Sequence, residues 1–81
     1  MKLSTFPYPH PDTLTQEYIV RLGKELAKHG SDDPESADCL EIACKTVFIK
    51  NIIHGRYSAD EAREIGQMIL NIAIVWPRWN A

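Results

Sequence analysis

Eighty-one residues, 44 % apolar and 25 % charged, make one folded domain, and that balance excludes wholesale disorder. A net charge of −2 gives no basic field to attract phosphate backbones or anionic lipid, and no run approaches the ~20 apolar residues of a membrane span. Nucleic acid and membrane are therefore disfavoured as partners, while a chain that buries only roughly 60 to 65 % of its extended surface gains from oligomerisation.

Residues 1–12 read as an extended arm. Pro7, Pro9 and Pro11 alternate with Phe6, Tyr8 and His10, and proline at every second position opposes helix and favours a polyproline-like strand. Phe6 and Tyr8 can fill a groove of their own subunit or its twin, or engage a separate partner. The first thirteen residues lack the apolar core of a secretion signal, which predicts a cytoplasmic protein.

A first helix is expected over about 14–29. Thr13 caps it and Gln16 closes the box; Leu14, Tyr18, Ile19, Leu22 and Leu26 recur at spacings of three and four. Gly30 is expected as a left-handed stop after Lys28 and His29. Gly23 lies mid-helix at a cost of roughly 1 kcal/mol relative to alanine, and close approach of another helix would account for it.

The second helix, about 34–54, opens with Asp33 as cap, Pro34 in the first turn and Glu35 on the positive end of the dipole, and Gly55 ends it. Ala37, Leu40, Ala43, Cys44, Val47 and Phe48 form its main apolar stripe, with Asn51 among them. Ile42, Ile49 and Ile53 fall on a second face roughly 120° or more away, marking a central helix or half of an interface. Cys39 and Cys44 point about 140° apart on this helix and cannot pair, so both read as reduced core residues.

The third helix, about 59–76, carries the clearest start: Ser58 caps and Glu61 closes the box. Its stripe is Ala62, Ile65, Gly66, Ile69, Ile72, Ala73 and Trp76. From Met68 to Trp76 only Asn71 is polar, so the helix becomes apolar all round and needs cover on every side; Leu70 and Ile74 join Ile42, Ile49 and Ile53 as expected self-association residues. Pro77 stops the helix, and Trp76, Arg78 and Trp79 are the residue types that most often carry interface energy. Three helices joined by short loops predict an all-α antiparallel arrangement that is oligomeric, most simply a dimer.

Catalytic chemistry is not legible. His10, His29 and His54 have no ligand-like spacing, and the acidic residues gather in first helical turns, where they satisfy the dipole. Neither metal nor cofactor is expected. A helix-turn-helix built on the joint at 53–58 would lead its recognition helix with Asp60, Glu61 and Glu64, which repel phosphate. The expected function is non-catalytic: regulation or inhibition by occupying another protein, with Trp79, Arg78, Trp76, Tyr8 and Phe6 as contacts. The alternative is a helical oligomer that holds a small anion such as a nucleotide between subunits, through Arg56, Tyr57, Arg78 and helix N-termini.

Overall fold

Three helices form, two of them at the expected starts: α1 (Gln16–His29), α2 (Pro34–Ile53) and α3 (Ala59–Val75), preceded by a 3-10 turn at Leu3–Thr5. The computed structural model describes residues 3–30 and 32–75, the side chains of 73–75 excepted, and contains no strand among them. Gln16, at the start of α1, hydrogen-bonds Glu64 in the first half of α3, and farther along Ile19, Gly23 and Ala27 share a groove with Met68 and Ile72, so these two helices run the same way. α3 packs against both α1 and α2, and the 3-10 turn packs against the same two helices.

The core is built from the predicted stripes: Ile19, Leu22 and Leu26 of α1, Ala37, Leu40 and Cys44 of α2, Ile65, Ile69 and Ile72 of α3. Each is at most 4 % exposed, so every helix buries one face in a common interior. Gly66 is the close-packing point between α2 and α3. A Cβ placed there would lie 3.1 Å from Cζ of Phe48, so the ring seats where a larger residue would stand.

Several local expectations change. Of the alternatives for the N-terminal segment, Phe6 takes the seat on its own subunit: Leu3 and Phe6 are 1 % and 3 % exposed and belong to the core, Phe6 meeting Tyr18 edge-on with ring centroids 5.4 Å apart. The Tyr18 hydroxyl donates to the Pro7 carbonyl at 2.6 Å, which straps the proline segment down.

The cap of α1 is Thr15, not Thr13. Tyr57 donates its hydroxyl to the Leu14 carbonyl, the group that a helix begun at residue 13 would have offered to the Tyr18 N–H. That N–H turns instead to Thr15 Oγ1 at 3.2 Å. Thr13 closes a turn, its Oγ1 accepting from the His10 N–H at 2.9 Å.

Gly30 is buried and stays right-handed at φ −56°, ψ −40°, its N–H bonded to the Leu26 carbonyl. Among the described residues the left-handed stop is used once, at Gly55 with φ +64°. Asp33 is the N-cap residue of α2 but makes no side-chain cap bond. The Ser58–Glu61 capping box forms in full, with reciprocal bonds of 3.1 Å.

Candidate functional site

The surface offers three features. The first is the joint between α2 and α3, where polar groups converge. Asn51, fully buried, donates from Nδ2 to the Pro11 carbonyl at 3.0 Å and to the Tyr57 hydroxyl oxygen at 2.8 Å; its Oδ1 has no partner. The Tyr57 hydroxyl donates in turn to the Leu14 carbonyl at 3.0 Å, and its ring stacks on Phe48 at 5.8 Å between centroids. Arg56 reaches Asp12 at 2.6 Å. Arg56 and Tyr57, two of the three residues expected to hold an anion, thus also fasten the N-terminal segment to the joint: the Tyr57 hydroxyl bonds Asn51 and Leu14, and the Arg56 guanidinium pairs with Asp12, while Arg78 lies outside the described residues.

The second feature is a groove of about 390 Å³ between α1 and α3, walled by Ile19, Val20, Gly23, Lys24 and Ala27 on one side and Met68, Asn71 and Ile72 on the other. Its walls are apolar because the parallel crossing of the two helices sets the small residues Gly23 and Ala27 opposite longer ones. Gly23 therefore has a role in shaping this depression that its mid-helix position alone left open.

The third is the outer face of α2. Ile42, Ile49 and Ile53 are 63 %, 57 % and 74 % exposed, and Leu70 on α3 is 54 % exposed. A large aliphatic side chain left in water forgoes ~1.5 to 3 kcal/mol of burial, so this row is where cover by another surface would gain most.

Of the expected contact residues, Tyr8 is 53 % exposed, whereas Phe6 is buried beneath Arg21, whose guanidinium carbon stands 5.7 Å from the ring centroid. Phe6 is a core residue, correcting its expected availability to a partner: the proline segment bends it inward onto Tyr18. Trp76, Arg78 and Trp79 lie outside the described residues, as does the side chain of Ile74.

Chemically reactive groups are dispersed. Among the described residues no three His, Cys, Asp or Glu side chains stand together as metal ligands. His29 faces Glu25 at 3.8 Å, and His54 caps α2. Cys39 is exposed rather than in the core, because its position falls on the outer face of α2, while Cys44 is buried. Burial, aided by the Glu41 carboxylate, pushes the Cys44 thiol up to about 12, and burial likewise raises the Tyr18 phenol above its ordinary value. Neither is a nucleophile at neutral pH.

No described helix is long and apolar enough to cross a membrane. Compared with models of protein families, with curated protein sequences and with solved structures, the chain matches none.

Proposed function

We propose that this is a cytoplasmic, non-catalytic binding protein that self-associates and regulates or blocks another protein by occupying part of its surface. The observation that carries the reading is the apolar groove between α1 and α3, which is open, preformed and large enough for two or three side chains of an amphipathic segment. Trp76, Arg78 and Trp79 follow α3 in the sequence and are residue types that serve as interface anchors. The free thiols Cys39 and Cys44 fit a reducing compartment.

The test is a substitution that spoils the groove and spares the core. Val20 is 46 % exposed and Ala27 is exposed, so Val20→Glu and Ala27→Glu should leave helicity and melting temperature nearly unchanged. Proteins captured from native lysate by the unaltered chain should be lost with both variants and kept with Arg63→Ala, an exposed residue of α3 that does not line the groove. Identical capture by all of them would remove the groove from the binding surface.

A further inference from the structure

The apolar groove lies on the flank of α3 turned away from α2. Gly66 marks the α2 side, with the Phe48 ring against it; Met68 and Asn71, which line the groove, stand about 160° and 140° around α3 from Gly66 at 100° per residue. From Val20 to Ala27 the α1 wall is about 10 Å long at 1.5 Å per residue, two helical turns. Gly23 and Ala27, one turn apart on that wall, let the backbone of a further helix lie close. A helix seated there would pack on α1 and α3 from one flank, as α2 packs on α3 from the other.

Charge selects the occupant. Lys24 is the charged residue among those that line the groove, and Lys28 follows one turn on, about 40° farther around α1; both are exposed. Among the described residues neither ammonium is ion-paired, the pairs formed being His29 with Glu25, Lys45 with Glu41, Arg56 with Asp12 and Arg63 with Asp60. Arg21 is engaged elsewhere, over the Phe6 ring. Glu17 and Glu64 sit toward the N-terminal ends of α1 and α3 and do not line the groove, and Glu64 already accepts from Gln16. The opposite lip is neutral, Asn71 accepting from the Gln67 amide at 3.4 Å. An apolar floor with two unpaired ammoniums along one lip and amides along the other complements a helix whose apolar stripe carries carboxylates on one side.

We propose that the groove receives an acidic amphipathic helix of a partner protein, its large apolar residues at spacings of three and four on the floor and two carboxylates four residues apart on Lys24 and Lys28. The inference rests on the groove as the binding surface in the reading above and names the chemistry of the partner. A neutral helix leaves both lysines unpaired and a basic one opposes them. Because the chain carries −2 overall, its net charge does not attract an acidic partner. The pull is local to this lip and is screened by salt.

The experiment selects binders to the full chain, at low salt, from a displayed library of random peptides of about 16 residues, ~24 Å long as a helix. Recovered peptides should combine apolar residues at helical spacing with acidic ones and gain helical circular dichroism on binding. Lys24→Glu combined with Lys28→Glu, both on exposed helical sites, should keep the native circular dichroism and weaken the best peptide by about tenfold or more. The same peptide with its carboxylates replaced by lysine should bind that variant about tenfold better than it binds the unaltered chain. Val20→Glu, in the groove wall, should weaken the acidic peptide too. Neutral or basic peptides that are lost with Val20→Glu would overturn the acidic partner and leave the groove as a binding surface. Peptides indifferent to Val20→Glu, or no peptides at all, would overturn both readings. A mass of twice 9.2 kDa that falls to 9.2 kDa in Val20→Glu would give the groove to a second copy and overturn the partner helix.

Discussion

Asn51 on α2 and Tyr57 in the joint before α3 meet amide to phenol oxygen at 2.8 Å, and that bond is the hub through which the N-terminal segment is locked to the helices. Tyr57 accepts from Asn51 and donates to Leu14; Asn51 also donates to Pro11. Tyr57→Phe keeps the stack on Phe48 but leaves the Leu14 carbonyl and one amide hydrogen of a fully buried Asn51 unsatisfied. The expected loss is about 1 to 3 kcal/mol, read as a melting temperature lower by roughly 4 to 8 °C per kcal/mol for a domain of this size. A melting temperature unchanged by the substitution would mean that the hub contributes nothing net to stability.

The helices were legible because their signals are local. Ser58 and Glu61 need only each other, and the stripes of Ile19, Leu22 and Leu26 or Ile65, Ile69 and Ile72 need only the helical period. The start of α1 was misplaced by two residues because the deciding partner, the Tyr57 hydroxyl on Leu14, comes from 43 residues away. The proline segment left its seat open for the same reason: Pro7, Pro9 and Pro11 do oppose helix, but nothing in their spacing says that Tyr18 will hold Pro7 and turn Phe6 inward. The exposed isoleucines of α2 were visible from the wheel, whereas the groove, which needs the parallel crossing of α1 and α3, was not.

Gly55 turns the chain out of α2 with φ +64°, and nothing lies within 4 Å of the place where a Cβ would stand. Space is therefore irrelevant to a substitution there and backbone strain decides it. Gly55→Ala should cost about 1 to 2 kcal/mol, and Gly55→Asn distinctly less, because asparagine tolerates the left-handed region. Equal losses from the two in chemical unfolding would assign the cost to something other than φ.

The two thiols should behave differently. Cys39 is exposed and Cys44 buried with its thiol pushed up to about 12, so a thiol reagent at pH 8 should modify one group per native chain and two after unfolding. The same burial makes stability fall in alkali. Below pH 9, the ordinary value for the thiol, folded and unfolded chains both keep the Cys44 proton; between 9 and about 12 only the unfolded chain releases it. Each pH unit in that window then removes up to about 1.4 kcal/mol. Tyr18, raised from 10 by burial, adds a loss of the same sign above pH 10. In Cys44→Ala the decline should begin about one pH unit later, and an unaltered onset would show that Cys44 does not govern it.

Phe6 and Tyr8 are separated by one proline, yet their substitutions should give opposite signatures. Phe6 is 3 % exposed and packed edge-on against Tyr18, so Phe6→Ala removes a core ring at an expected cost of about 3 to 5 kcal/mol. Its loss should also free the segment held through Pro7, making residues 1–12 readily cleaved by a protease that the intact protein resists. Tyr8 is 53 % exposed and has little packing to lose, so Tyr8→Ala should stay within about 0.5 kcal/mol of the parent protein. If Phe6→Ala unfolded no earlier than Tyr8→Ala, the N-terminal segment would be an appended arm after all, and the core would have to close without it.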